Sequence, residues 1–108
     1  MADRLRAVTE QEFQSEVLDS AVPVLVDFYA DWCAPCRMIE PIVEEVADDF
    51  AGRVEIRKAD LDKMPRIAAR FGVRSIPTLM VFKDGSPQDI LVGAVAKSRL
   101  TELLDRHL

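Results

Sequence analysis

The sequence predicts an α/β protein, a three-layer α/β/α sandwich in which a central five-stranded mixed β-sheet is flanked by four α-helices. Apolar positions alternate along the chain between a spacing of two residues, typical of strands, and a spacing near 3.6, typical of helices. One segment, residues 24–29, is almost continuously apolar. Such a segment indicates a central strand that is covered on both faces. The 108 residues suffice for one domain, which we expect to span 1–108.

The first half of the chain predicts a strand, a helix, the central strand and a second helix. Residues 5–8 form a short strand candidate. Thr9 then caps a helix that runs to about residue 19, because Glu12 three residues later completes a capping box. After the central strand, the apolar residues of 34–50 recur at helical spacing and predict a long helix.

The second half predicts a strand, a short helix, two strands and a closing amphipathic helix. These elements are placed at residues 54–59, 64–71, 78–82, 90–92 and 98–107. The last two strands flank Asp84-Gly85, a dipeptide typical of tight β-hairpin turns. The sequence therefore predicts a sheet that is parallel first and antiparallel after the hairpin.

Composition and charge exclude several classes of function. Hydrophobic residues make up 49% and charged residues 31% of the chain, which is ordinary for a soluble domain. The net charge of −5 argues against nucleic-acid binding, which needs a basic face. The longest apolar run, residues 21–26, is too short to cross a membrane. The first six residues show no apolar stretch behind a basic start, so we expect no secretory signal and a cytoplasmic location.

The only two cysteines, Cys33 and Cys36, enclose Ala34 and Pro35 where the central strand gives way to the long helix. Unpaired N–H groups and the dipole of a helix N-terminus stabilise a thiolate, the species that attacks disulfides. We therefore expect Cys33 to attack a target disulfide. Cys36 lies one turn further into the helix, where we expect it to be less exposed and to resolve the mixed disulfide. Pro35 suits the first helical turn, which does not need its missing N–H.

Half of a zinc site is the main alternative for this cysteine pair. Zinc takes about four ligands of the Cys, His or carboxylate type. The only histidine, His107, lies at the far end of the sequence. The sequence therefore favours redox chemistry and predicts no metal site.

Asp27 is an unusual residue for its place inside the most apolar strand. Burial without a partner penalises an ionised carboxylate, so we expect its pKa to be raised. A carboxyl group of this kind near the helix base could accept the proton of Cys36 as that thiol attacks. The alternative is an Asp that faces solvent at a strand edge, which the apolar flanks disfavour. Lys58, in the middle of the next strand, is either a charge partner of Asp27 or an ordinary exposed lysine.

Pro77 and Trp32 are two further candidate site residues. Pro77 begins a strand and cannot donate to a β-ladder, so it leaves a gap that could hold the backbone of a substrate or could be only a turn. Trp32 precedes the cysteines directly. A Trp beside a reactive thiol is more plausibly a cover and a partner contact than a core residue.

These residues together resemble the thioredoxin family, over essentially the whole chain. The residues that carry the resemblance are Val26-Asp27-Phe28-Tyr29-Ala30-Asp31-Trp32-Cys33-Ala34-Pro35-Cys36-Arg37-Met38, Pro41, Arg74-Ser75-Ile76-Pro77-Thr78 and Val92-Gly93-Ala94. The resemblance implies the thioredoxin fold and the activity of a protein-disulfide reductase. It also implies that Pro41 kinks the long helix.

The resemblance assigns a role to each group of the site. It implies that Cys33 is the nucleophile, Cys36 the resolving cysteine, Asp27 a buried proton acceptor and Lys58 its neighbour. It implies a cis peptide bond before Pro77, facing the cysteines. It further implies an apolar docking surface, formed by Trp32, Ala34, Pro35, Ile76, Pro77, Val92, Gly93 and Ala94.

The resemblance also implies the partners of the reaction. Electrons come from thioredoxin reductase, which carries FAD and draws on NADPH, and pass to target proteins that contain disulfides. The chain itself is expected to bind no cofactor, to carry its redox equivalents in the Cys33–Cys36 disulfide, and to be a monomer.

Three positions depart from the usual family pattern. Ala34 stands where most members have Gly, Tyr29 where many have a second Trp, and Ser75 where Gly is usual before Ile-Pro. Ala34 adds a methyl group beside the thiolate and restricts the backbone, and Ser75 alters the rim of the docking groove. None of the three removes a catalytic group.

Two other functions compete with that of a reductase. Oxidases and isomerases of related build usually carry His or Tyr between the cysteines, which stabilises the thiolate and makes the disulfide oxidising. Ala34 and Pro35 supply no such group. The second alternative is a binding module without redox turnover, whose binding would survive the loss of both cysteines.

Overall fold

A computed structural model describes residues 5–108. Residues 1–4, which carry part of the argument about a secretory signal, lie outside this range. Within residues 5–108, five strands form one sheet: β1 (Arg6–Ala7), β2 (Val24–Tyr29), β3 (Glu55–Asp60), β4 (Thr78–Lys83) and β5 (Ser86–Val92). The helical elements are a π-helical segment (Gln14–Leu18), α1 (Ala34–Asp49), a 3₁₀ turn (Leu61–Lys63), α2 (Pro65–Arg70) and α3 (Lys97–Asp105).

The sheet is mixed, as predicted, with the strand order β1-β3-β2-β4-β5. The first three strands run parallel, since β1 and β2 both pair in parallel with β3. The direction changes between β2 and β4, which pair antiparallel, and β5 is antiparallel to β4. The antiparallel part therefore already includes the first strand of the hairpin. The prediction of an α/β sheet flanked by helices is confirmed.

The central strand β2 divides the core into two layers, which explains its continuous apolar sequence. Val24, Val26 and Phe28 belong to a cluster on one face with the π-helical segment and α2. Leu25 belongs to the cluster on the other face, with α1 and α3. Alternate residues of a strand point to opposite faces, so Asp27 shares the face of Leu25. The fold thus directs a carboxyl group toward α1.

The predicted helix after Thr9 has the right start but a different geometry. The capping box is present: the Thr9 amide donates to Glu12 Oε1 over 3.0 Å, and the Glu12 amide donates to Thr9 Oγ1 over 3.2 Å. The helical part is π-helical, however, and the Asp19 amide donates to the Gln14 carbonyl over 2.8 Å. A helix is therefore present as predicted, but its geometry is π rather than α. The wider turn brings Val17 and Leu18, which are consecutive in sequence, both into the core.

Strand β5 is longer than the predicted 90–92. It begins at Ser86 and contains Pro87, and its register against β4 shifts between Val81 and Phe82. The strand lies at the edge of the sheet, where proline and exposed polar residues are tolerated. Its first half therefore lacks the apolar pattern that a sequence argument needs. The other elements deviate from their predicted bounds by one or two residues, as helix and strand ends commonly do.

The hairpin between β4 and β5 turns at Asp84-Gly85, as predicted. Both residues have positive φ, 55° for Asp84 and 83° for Gly85. This is the pattern of the type I′ turn, whose twist matches that of the flanking strands. A Cβ atom at Gly85 would meet only the Leu18 carbonyl oxygen, at an ordinary 3.5 Å. The glycine is therefore needed for its backbone conformation rather than for space.

We expect Gly85→Ala to lower the free energy of unfolding by about 1 kcal/mol, the usual penalty for an alanine in the left-handed region. The matched variant Asp84→Gly places a glycine, which tolerates positive φ, at the other turn position and should not destabilise the protein. Urea unfolding followed by Trp32 fluorescence measures both. Equal stability of Gly85→Ala and the parent would contradict the assignment of strain to this turn.

Candidate active site

The cysteine pair sits at the N-terminus of α1, as the sequence predicts. Strand β2 ends at Tyr29, and a short turn follows, in which the Cys33 amide donates to the Ala30 carbonyl over 3.1 Å. Cys33 is the N-cap residue of α1, and Pro35 occupies the first helical turn. The Cys33 Sγ atom accepts a hydrogen bond of 3.2 Å from the Cys36 amide. Cys33 Sγ therefore accepts a hydrogen bond from a backbone N–H and lies at the positive end of the helix dipole.

Cys33 and Cys36 form a disulfide, so the structure represents the oxidised form of the site. Their Cα atoms are 5.3 Å apart, a normal separation for bridged cysteines. The predicted difference in their exposure is wrong, since Cys33 is 4% and Cys36 6% exposed. Both cysteines are buried in one small cluster with Ala30, against which Tyr29 and Ile76 pack. Exposure does not distinguish the roles of the two cysteines in this form.

Asp27 is buried, as predicted, with 3% of its surface exposed. Its Oδ1 atom has no hydrogen-bond partner among the described residues. Burial raises its pKa to about 7 from an ordinary 3.8; Lys58 opposes this rise and Glu40 adds to it. An acid that titrates near neutral pH can both hold and accept a proton under physiological conditions.

Lys58 lies directly opposite Asp27 in the register of β2 and β3. Its Nζ atom, however, makes its ion pair with Glu40 Oε2 of α1. The same ammonium group lies 4.2 Å from the centre of the Tyr29 ring. Burial alone would lower the pKa of Lys58, but the hydrogen bond and the charge of Glu40 outweigh it, and the pKa is raised. Lys58 is therefore a half-buried lysine that faces Asp27 in the sheet and acts on its charge, but its ion pair is with Glu40, a residue that sequence reasoning missed.

Glu40 could have been found from one signal in the sequence. It follows Cys36 by four residues, and such residues share a face of a helix. The sequence therefore shows that α1 carries an acid, Glu40, on the same face as Cys36, in addition to Asp27 on β2. That Lys58 is the partner of Glu40 is not visible in the sequence, because the two are brought together only by packing of α1 on β3.

An open cavity of about 150 Å³ connects these groups. Its lining residues are Asp27, Tyr29, Ala30, Asp31, Cys36, Arg37, Glu40 and Lys58. Cys36 contributes to the lining, whereas Cys33 is not among these residues. A cavity of this size that is lined by several charged side chains can hold a few water molecules. The cavity thus places the buried acid and the second cysteine beside the same route to solvent.

The loop before β4 faces the cysteines. Ile76 packs against the cluster of Cys33 and Cys36, and the Ile76–Pro77 peptide bond is cis, as the resemblance implies. Pro77 itself is buried, and its carbonyl accepts a hydrogen bond of 2.8 Å from the Gly93 amide. This bond joins the loop to the end of β5. Two separate loops therefore border the disulfide.

Most of the predicted docking residues, which we call the rim, are exposed. Trp32 is 67% and Val92 55% exposed, and Ala34, Pro35 and Ala94 are also exposed. Ile76 and Gly93 are half-buried. The Trp32 ring is oriented by its Nε1 atom, which donates to Asp62 Oδ2 over 2.9 Å. The apolar rim residues are thus largely accessible, whereas Cys33 and Cys36 are buried.

Neither a metal cluster nor a membrane span is found in the part of the chain that the structure describes. Residues 5–108 contain no group of three or more His, Cys, Asp or Glu side chains suited to a metal ion. None of their helices is long and apolar enough to cross a bilayer. His107 Nε2 lies 3.0 Å from Asp89 Oδ2, on the edge strand β5.

The raised pKa of Asp27 makes stability depend on pH. An acid whose folded pKa exceeds its unfolded value stabilises the fold fully below 3.8, and this contribution is lost as the pH rises through about 7. The rise corresponds to roughly 4 kcal/mol as an upper estimate. We expect the free energy of unfolding of Asp27→Asn to exceed that of the parent by up to that amount at pH 8 and by little at pH 3.5. Denaturant unfolding at both pH values measures this.

Asp105→Asn is the matched control for this experiment, because it makes the same chemical change at an exposed position of α3. It should leave the pH dependence as it is in the parent. A gain from Asp27→Asn that is the same at pH 3.5 and pH 8 would contradict the elevated pKa.

Comparison with known proteins identifies the family. The sequence model of the Thioredoxin family matches residues 4–106. The chain is 52% identical to Thioredoxin 1 of Nostoc sp. over 101 residues, 94% of each chain. It is 44% identical to the Thioredoxin of Acidithiobacillus ferridurans over 108 residues, the full length of both. With the Cys33–Cys36 disulfide at a helix N-terminus, these matches show that the chain belongs to the thioredoxin family of thiol-disulfide oxidoreductases.

Proposed function

We propose that this chain reduces protein disulfides with Cys33 as the nucleophile and Cys36 as the resolving cysteine. The observation that carries the proposal is the hydrogen bond from the Cys36 amide to Cys33 Sγ at the N-cap of α1. In the reduced form the same donor and the helix dipole favour a thiolate on Cys33. Cys36 lines the cavity of Asp27 instead, where a base is available.

The reaction follows in two exchanges. The Cys33 thiolate attacks one sulfur of the target disulfide, so that a mixed disulfide forms and the other target sulfur leaves as a thiolate. Cys36 then attacks Cys33 Sγ, which forms the Cys33–Cys36 bond and releases the second target thiolate. Two electrons pass from the dithiol to the target, and the target sulfurs take up two protons.

Asp27 is the proposed acceptor for the proton that Cys36 gives up in the second exchange. It is buried beside the cavity that Cys36 lines, and its pKa of about 7 suits proton transfer at neutral pH. We assign Lys58 the role of its charged neighbour, because the two residues are opposite in the sheet register. Pro77 is assigned to the wall of the site, since its loop faces the cysteines.

Targets are proposed to dock on the apolar rim. The exposed side chains of Trp32 and Val92 lie on elements that border the disulfide, and together with Ala34, Pro35 and Ala94 they offer an apolar surface to a partner. Gly93 and the half-buried Ile76 complete this surface beside Pro77. A surface of this kind suits many unrelated disulfide-containing proteins, because it recognises apolar area rather than a particular charge.

The remaining assignments concern the setting of the reaction. Thioredoxin reductase is the proposed electron donor, and the chain is proposed to act as a monomer and as a single domain over 1–108. The Cys33–Cys36 disulfide is its redox carrier, and no bound cofactor is needed for the two exchanges above. A reducing compartment such as the cytoplasm fits this role, since dithiols stay reduced there.

Trapping tests the roles of the cysteines. We expect Cys36→Ser to accumulate a mixed disulfide with a disulfide-containing protein, because the first exchange proceeds and the second cannot. Cys33→Ser should form little adduct. Non-reducing electrophoresis and mass spectrometry of the adduct measure both, and the variant lacking both cysteines is the control. A stable adduct through Cys36 in Cys33→Ser would reverse the assignment.

The role of Asp27 is tested by the rate of the second exchange. Asp27→Asn should slow resolution of a preformed mixed disulfide by up to about a hundredfold at pH 7, the low end for general bases. In the parent the rate should rise as the pH passes through about 7 and Asp27 ionises. Stopped-flow Trp32 fluorescence follows the reaction, with Asp105→Asn as control. An unchanged rate and pH profile in Asp27→Asn would exclude Asp27 as the base.

A further inference from the structure

Glu40 stands at the cavity of Asp27 with no role in the reaction described above. It lies one helical turn after Cys36 on α1, and 41% of its side chain is exposed. Its Oε2 atom pairs with Lys58 Nζ, and the side chain of Lys58 is only 18% exposed. The acid is therefore at the open side of the cavity, and the lysine lies deeper.

Lys58 is held from two directions. Glu40 pairs with its ammonium group from α1, and the ring of Tyr29 lies 4.2 Å from the same nitrogen. Asp27, its register partner in β2, keeps one carboxylate oxygen without any hydrogen bond among the described residues. A half-buried ammonium beside an unpartnered buried carboxyl would ordinarily pair with it. Here the ion pair goes to Glu40.

We propose that Glu40 is a positioning residue that binds the ammonium group of Lys58 in place of Asp27, so that the Asp27 carboxylate, without an ion pair of its own, stays basic enough to accept the proton of Cys36. This inference rests on the proposed role of Asp27 as proton acceptor. Glu40 acts in two ways. It pairs with the ammonium group of Lys58, which lies opposite Asp27 in the sheet, and it adds a negative charge at the cavity. Both effects oppose ionisation of Asp27.

The other groups around Asp27 do not replace this control. From β4 the register partner is the apolar Leu79. The titratable or charged groups that line the cavity with Asp27 are Tyr29 and Asp31 from β2 and the following turn, Cys36, Arg37 and Glu40 from α1, and Lys58 from β3. Of these, Lys58 and Glu40 are the charges that alter the pKa of Asp27, in opposite directions. Because the Lys58–Glu40 pair carries no net charge, burial remains the dominant influence on the pKa of Asp27.

Glu40→Gln tests this inference, with Glu44→Gln as a matched control on the same helix. Both variants remove one negative charge, but Glu44 is exposed and does not line the cavity. The readout is the titration of the Asp27 side-chain carboxyl carbon by ¹³C NMR in the oxidised protein. We expect its midpoint to fall by about half a pH unit or more in Glu40→Gln. The control should keep the midpoint of the parent, and an equal midpoint in Glu40→Gln would overturn the inference.

A double-variant cycle separates positioning of Lys58 from the bare charge of Glu40. In a Lys58→Gln background there is no ammonium to release, so the effect of Glu40→Gln should shrink to less than about half. An undiminished effect in that background would overturn the positioning role, because Glu40 would then act by charge alone.

The NMR titration and the resolution rate can fail independently. If the midpoint of Asp27 falls in Glu40→Gln, the inference about Glu40 stands, whatever the rate does. A resolution rate whose pH profile does not follow that fall would contradict the proposed role of Asp27 instead. A midpoint that does not move overturns the inference about Glu40 even where Asp27→Asn slows resolution as expected.

Discussion

The burial of Asp27 in the central strand is the constraint on which the rest of the site depends. Strand β2 must be covered on both faces, and the face that carries Leu25 and Asp27 is covered by α1. The helix that supplies this cover also carries both the cysteine motif and Glu40. One packing contact therefore buries the acid, presents Cys36 beside it and forms one wall of the cavity. The raised pKa of the carboxyl group in this place predicts a lower stability at neutral pH than at acidic pH.

The fold was largely predictable because its strongest signals are local. The apolar run of β2, the capping box of Thr9 and the Asp84-Gly85 turn depend on neighbours within a few residues, and all three are present. The π-helical geometry of Gln14–Leu18 was not predictable, since it arises from fitting consecutive side chains into the core. The first half of β5 was not predicted for the opposite reason. An edge strand is only partly covered by other elements, so its sequence need not show an apolar pattern.

The site was predictable in its residue types but not in its pairings. The motif and the apolar flanks identify the cysteines and the buried acid, since both depend on position within one element. The relative exposure of Cys33 and Cys36 depends on Ile76, a residue forty positions away in sequence, whose packing covers both sulfurs. The partner of Lys58 likewise depends on how α1 lies on β3. Such contacts form only in the tertiary structure, so they cannot be predicted from the spacing of residues in the sequence.

The pairing of Lys58 with Glu40 also gives meaning to one departure from the family pattern. Where many members have a second Trp, this chain has Tyr29, whose ring still offers its face to the ammonium group of Lys58. Ring and carboxylate together hold the half-buried ammonium group of Lys58 at the cavity of Asp27. On the roles proposed above, the two cysteines are nearly equal in burial but differ in chemistry: the helix N-terminus acts on Cys33, and Asp27, under the influence of Glu40, acts on Cys36.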